Sequence, residues 1–282
     1  MQGQFADLTD SQSFVHMRHI KGIFPELVAL LCVIAFVLAG DLLSDTDRTP
    51  ALFSSGDAGQ VIVVYDGDTI KIRFDDGRVC KARLIGIDTP EIEDERQDVR
   101  FLAYTAKRFT FFHLYRRRIK IAYDWERTDS YGRLLVYVWS EEVGLFNEFI
   151  LKEGYAFAFI KFPFNSEYKK RFIAAERQAR DLEKGLWQKE PPPVIAAEDA
   201  DDHVGKLLVV RYLCKDTRTR GNFVFLNSGE NFSAVIPRAQ ISLFPEIDRL
   251  EGNVLSVKGF LETYKGKPQI MVFLPLQLRS DE

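Results

Sequence analysis

Cysteine is scarce in this 282-residue chain: three residues, too few for a disulfide scaffold. Histidine is nearly as rare, with four, and none clusters with a cysteine, which argues against a zinc cage. Neither sign of charge dominates, since 38 Lys+Arg stand against 41 Asp+Glu for a net of −3. Gly 18 and Pro 11 exclude a collagen-like or low-complexity chain, and 46% hydrophobic residues exclude a disordered one. Long apolar runs are missing too. The longest, Leu27 to Ala39, has 13 residues. As a helix it reaches about 20 Å, short of the roughly 30 Å hydrocarbon core of a bilayer.

What is present is unevenly placed. Residues 1–59 carry a net −4, residues 60–190 +2, residues 191–202 −4 and residues 203–282 +3. The acidity sits in a tail and a connecting stretch, and both folded-looking parts are mildly basic, which permits nucleic-acid binding. Arg18, His19 and Lys21 precede the apolar run, and Asp41, Asp45 and Asp47 follow it. That polarity directs the N-terminus to the cytoplasm and the rest outside. Residues 1–40 are thus expected to be a signal peptide, with Val37-Leu38-Ala39 as its cleavage site, or a membrane anchor through residues 23–40.

Beyond a polar tether at 41–59, strands are expected at Val61–Tyr65, Thr69–Phe74, Val79–Ile87, Arg118–Tyr123 and Leu134–Trp139. Helices are expected over 97–114, Phe146–Glu153 and Ser166–Glu183. Three strands, a helix, two strands and further helices suggest a five-stranded OB-type barrel over 60–188. Pro191-Pro192-Pro193 and the acidic stretch after it read as a linker, 189–204. Residues 205–282 repeat the pattern of five strands with one short helix between the third and fourth. The fold class expected is therefore mainly β with packed helices (α+β): two OB-like barrels behind an N-terminal hydrophobic helix.

Chemistry concentrates in three clusters: Asp66-Gly67-Asp68-Thr69, Arg83-Leu84-Ile85-Gly86-Ile87-Asp88-Thr89-Pro90-Glu91 and Asp129-Ser130-Tyr131-Gly132-Arg133. A charged residue in an apolar strand, such as Arg83, needs a partner or a task. Asp68 and Asp88, with a carbonyl near Thr89, offer oxygen ligands suited to a hard cation such as Ca²⁺.

DGDT, RLIGIDTPE and D-x-YGR in this order resemble the staphylococcal nuclease family, as does AERQARDLEKGLW near Trp187. The resemblance covers about residues 60–188. It implies a Ca²⁺-dependent phosphodiesterase that cuts DNA and/or RNA, preferably single-stranded, to 3′-phosphate products. Asp68, Asp88 and the Thr89 carbonyl match the metal ligands, and Asp66 matches a carboxylate just behind them. Glu91 matches the carboxylate that activates water, and Arg83 and Arg133 match the phosphate-binding arginines. The alternative is a non-catalytic nucleic-acid- or protein-binding module on the same fold. In the second barrel, Tyr212, Phe223, Phe225, Lys265 and Lys267 are candidate nucleic-acid contacts. An extracytoplasmic monomer is expected.

Overall fold

The computed structural model describes residues 57–229 and 231–281. The apolar run and nearly all of the expected tether lie outside them. No described helix is long and apolar enough to cross a membrane.

The first barrel opens with three antiparallel strands, β1 (Ala58–Val64), β2 (Thr69–Phe74) and β3 (Val79–Leu84). A bulge between Val61 and Val63 bends β1. The bent strand pairs with β2 along its length and, at its start, with β5 (Arg118–Ala122). Strand β6 (Leu134–Ser140) pairs antiparallel with β5 and parallel with β3, closing a ring of five. Val61, Ile70, Ile72, Ala82, Leu84 and Val136 fill its interior as the inward half of alternating strands.

Strand β3 stops at Leu84, short of the expected Ile87. Apolar character continues through Ile85, but Gly86 takes φ +75° and turns the chain. A Cβ there would lie 2.6 Å from the Phe172 ring, so only glycine fits both turn and contact. The turn leads into β4 (Ile87–Asp88), which pairs with β8 (Phe157–Ala158), beyond the short β7 (Gly144–Leu145) that extends β6.

Three helices pack on this barrel. Helix α1 (Gln97–Leu114) sets Ala106, Phe109 and Leu114 into its core. Helix α2 (Phe146–Lys152) contributes Asn147, which is fully buried. Its Nδ2 donates to the carbonyls of Ile85 (2.9 Å) and Val136 (3.2 Å), and its Oδ1 accepts from the Val138 amide (2.9 Å). One side chain thereby ties the end of β3 to β6. Helix α3 (Ser166–Asp181) starts where the Asn165 side chain accepts from the Glu167 and Tyr168 amides. Its Tyr168, Phe172, Ala175 and Ala179 form the buried stripe.

The second barrel runs β9 (Val194–Ala196), β10 (Leu207–Leu213), β11 (Asp216–Arg220), β12 (Phe223–Asn227), β13 (Ser233–Pro237), β14 (Val254–Tyr264), β15 (Lys267–Met271) and β16 (Leu278–Asp281). β10 and β11 are halves of one bent run, β10 pairing with β14 and β11 with β12. With β12–β13, β13–β15 and β14–β15 pairings, that run closes the sheet into a second barrel. The stretch expected as a linker instead holds β9 and a 3₁₀ helix, Ala197–His203, whose Ala197 and Ala200 are buried in the second core. Its prolines and aspartates conceal that small apolar pattern. Tyr212, expected as a nucleic-acid contact, is also core: it faces inward with Leu208 and Val210, and its hydroxyl donates to the Leu226 carbonyl at 3.0 Å.

The barrels meet on α1. Phe260 of β14 joins the first core against Phe109 and Phe112, and Tyr104 stacks on Phe273 with centroids 4.2 Å apart. Glu262, 2% exposed, pairs with Arg108, whose Nε donates at 2.9 Å. Gln269 donates to the other carboxylate oxygen of Glu262 at 2.9 Å.

Replacing Asn147 by Ala orphans the buried Val138 amide and Ile85 carbonyl. Urea unfolding is expected to show a loss of about 3 kcal/mol, against under 1 for Ala at exposed Lys152.

Candidate active site

The turn between β1 and β2 carries Asp66, Gly67 and Asp68. Asp66 accepts from the Asp68 amide at 3.1 Å. Thr110 of α1 donates to the Gly67 carbonyl at 2.7 Å. A Cβ on Gly67 would stand 2.5 Å from the Thr89 methyl and 3.0 Å from Ala106. The helix and the loop after β4 thus approach this turn as closely as glycine allows.

Asp68 is 5% exposed, so its charge must be compensated. One carboxylate oxygen accepts from the Thr89 amide (2.9 Å) and hydroxyl (3.0 Å), and the other from the Thr69 hydroxyl (2.9 Å). Arg83, opposite Thr69 in the sheet register, completes the set with an ion pair. The same guanidinium reaches Asp88 at 2.7 Å, so it bridges two carboxylates. Burial pulls the Arg83 pKa down, while the charges of Asp88 and Asp66 hold it up.

Glu91 lies on the open side of this group. Partial loss of water, then the negative charges of Asp66, Asp88 and Glu93, raise its carboxyl above the ordinary glutamate value; Arg83 opposes them. Lys107 of α1 lies in the field of the same acids. Burial lowers its pKa, and Asp66 opposes the shift.

Arg133 sits on the loop before β6, one residue before Leu134, which pairs with Ala82 of β3. Its Nε donates to Asp129 at 2.7 Å, and its amide donates to the same carboxylate at 2.9 Å. Asp129 also accepts from the Tyr131 amide at 3.0 Å, so the loop is wound around one carboxylate. Arg83 and Arg133 face a shared cavity of about 340 Å³. Trp125, Tyr131, Phe159, Phe162 and Phe164 form much of its wall. Tyr131 is 83% exposed, and Trp125 and Phe162 are 64% and 60% exposed.

Asp66, Asp68, Arg83, Asp88 and Thr89 therefore come together, with Glu91 in their field and Arg133, held by Asp129, lining the same cavity as Arg83 from the neighbouring strand. The aromatic wall was not anticipated. Its sequence signal was the ring density of Tyr155-Ala-Phe157-Ala-Phe159 and of Phe162-Pro-Phe164. Of the second-barrel candidates, Phe223 is exposed, Phe225 half-buried, and Lys265 and Lys267 exposed at a hairpin; Tyr212 is excluded by burial.

Among the described residues, no three acidic, histidine or cysteine side chains form a metal cage by themselves. The donors nevertheless suit a hard cation. They are oxygens, and one guanidinium already spans Asp68 and Asp88.

The profile of the staphylococcal nuclease homologue family matches residues 81–189. The thermonuclease of Staphylococcus hyicus is 41% identical over 128 residues, 45% of this chain and 74% of that protein. The thermonuclease of Staphylococcus intermedius is 37% identical over 134 residues, 48% of this chain and 78% of that one. An SPbeta prophage-derived endonuclease of Bacillus subtilis is 31% identical over 125 residues, 44% of this chain and 42% of its own length. Such identity across most of a thermonuclease, together with a five-stranded barrel of the matching type, makes the chain a member of the staphylococcal nuclease family and a nuclease.

Proposed function

We propose that the chain is a Ca²⁺-dependent phosphodiesterase acting on DNA and/or RNA, with single strands preferred and 3′-phosphate products. The observation that carries this reading is the pairing of two guanidiniums, Arg83 and Arg133, on one cavity beside the Asp68–Asp88 pair. Two planar forks on one phosphate neutralise the charge that builds as the phosphorus centre gains an oxygen. Asp129 holds the Arg133 fork in place before substrate arrives, which lowers the ordering cost.

Glu91 is the base. Its raised pKa makes it a better proton acceptor than an ordinary surface glutamate, and it lies next to the acid cluster rather than inside it. It takes a proton from the attacking water, whose oxygen bonds to phosphorus as the 5′ P–O bond breaks, and the departing 5′ oxygen takes up a proton from solvent to leave as a hydroxyl. Asp68, Asp88 and the Thr89 carbonyl are the residues that would hold Ca²⁺, with Asp66 bracing the turn that carries Asp68. Bound there, the ion supplies a Lewis acid for a phosphoryl oxygen. Exposed rings at the cavity rim suit an unstacked base, which favours single-stranded substrate. The export-like leader supports an extracytoplasmic location, where sites of about 10⁻⁴–10⁻³ M for Ca²⁺ are useful.

Glu91→Gln is expected to lower kcat at least about 100-fold on a labelled single strand, with Ca²⁺ affinity by titration calorimetry within a few-fold of the parent. Equal loss of both overturns its role as base.

Arg133→Ala is expected to cut kcat/KM by about 10²–10³ while Ca²⁺ affinity stays within about twofold. Asp68 already has Thr69, Thr89 and Arg83 as partners. Chelation is therefore expected to abolish cleavage and leave the circular dichroism spectrum unchanged, with activity returning on Ca²⁺ addition. Cleavage that survives chelation refutes the metal assignment.

A further inference from the structure

The outward face of the second barrel is ordered across its strands. Its first row is polar. Asp216, Asn227, Ser233, Gln269 and Glu262 are successive cross-strand neighbours from β11 to β14. Asn227 donates to Asp216 and Ser233 to Asn227, both at 2.7 Å, and Gln269 donates to Glu262. Glu262 in turn holds Arg108 on α1. Thr110, on the same helix, donates at 2.7 Å to the Gly67 carbonyl of the turn that carries Asp66 and Asp68. This face therefore has a fixed position relative to the active site.

The next rows differ in character. Arg218 lies opposite Phe225, and Arg220 opposite Phe223, whose other neighbour is Pro237. Val235, the other neighbour of Phe225, is 2% exposed, so the open part of the face is its β11–β12 edge. Phe223 is 39% exposed on a sheet whose opposite side is the core. Rings two residues apart on one strand face stand roughly 7 Å apart. Arg238 follows Pro237, and its amide donates to the Asn222 carbonyl, which brings it beside the β11–β12 turn. Arg218 is neutralised by Asp216. Among the described residues, Arg220 and Arg238 have no ion pair, so this end of the face keeps uncompensated positive charge next to exposed rings.

In OB barrels the face of the second and third strands, with the first and fourth loops, is where oligonucleotides dock. Here those strands are β12 and β13, and the fourth loop is the exposed Tyr264–Lys267 hairpin.

We infer that the β11–β12 edge of this face binds a single nucleic-acid strand, with Phe223 stacking on a base, Phe225 flanking it, and Arg220 and Arg238 on phosphates. A polyanion with unpaired bases is the one occupant that satisfies both the surplus charge and the rings. This deepens the nuclease reading and rests on it for its biological sense. The face acts as a holding site that keeps a long substrate on the enzyme between cuts.

Binding of fluorescein-labelled oligo-dT of 20 and of 4 nucleotides to the full chain, read by anisotropy in chelator, tests this. Arg220→Glu/Arg238→Glu is expected to weaken the 20-mer about tenfold or more. It should also lower the slope of log affinity against log salt by about 1.4, from two lost phosphate contacts. Phe223→Ala is expected to weaken the 20-mer about tenfold and Phe223→Trp to restore it. The 4-mer, which the catalytic cavity alone can hold, is expected to move less than twofold. An unchanged 20-mer affinity overturns the inference, and so does an equal loss for both lengths. No divalent ion is present, so the outcome stands whether or not the strand is cut. Failure of cleavage with Ca²⁺ supplied counts against the nuclease mechanism alone.

Discussion

A buried carboxylate organises this molecule. Asp68 is nearly inaccessible to water, and an ionised group in that position is tolerated only when every lone pair is used. Its partners come from three segments: Thr69 beside it, Arg83 from β3 and Thr89 from the loop after β4. Each partner imposes a condition on the fold. Thr89 arrives only because Gly86 turns the chain out of β3. Arg83 is in register only because β2 and β3 pair with Thr69 opposite it. Gly67 must be glycine because the loop and α1 both press on it. The arrangement of Asp66, Asp68, Arg83, Asp88 and Thr89 is thus a by-product of solving one solvation problem.

That solution also prepares the site for an anion. Arg83 is shared between Asp68 and Asp88, while Arg133 is held by Asp129 beside the neighbouring strand β6. Two like-charged guanidiniums lining one cavity repel each other. A phosphate between them relieves that repulsion. Side chains fixed by carboxylates need little reorganisation when it arrives, which is the condition under which charge stabilisation in a site is strongest.

Much of this was legible in the sequence, for a physical reason. The DGDT, IDTPE and DSYGR segments are turns whose hydrogen bonds are made by their own side chains, so residue type and conformation are tied together. The misreadings share a different cause. Leu84-Ile85-Gly86-Ile87 looks like uninterrupted strand because apolar character cannot register a reversal of direction. Tyr212 and Phe223 look alike by composition, and only the register of β10 and β12 assigns one to the core and the other to the surface. The Asp216–Arg220 stretch has no apolar residue, so nothing in its pattern marks it as the second half of a bent barrel strand. Phe159 and Phe162 join the cavity through the β4–β8 pairing, a long-range event with no local signature.

Helix α1 explains why the second barrel is integral to the enzyme. A helix on a barrel surface normally has one apolar stripe and one wet face. Here Ala106, Phe109 and Leu114 enter the first core, while Phe101 and Tyr104 pack with Leu274 and Phe273 of the second barrel. Phe260 crosses the boundary outright. Glu262 is buried to the same degree as core leucines and depends on Arg108 for its counter-charge. Removing the second barrel would leave α1 with a wet apolar face and an unpaired arginine, and α1 is the helix that presses on Gly67. Stability of the catalytic turn is therefore coupled to the second barrel through packing and one buried ion pair.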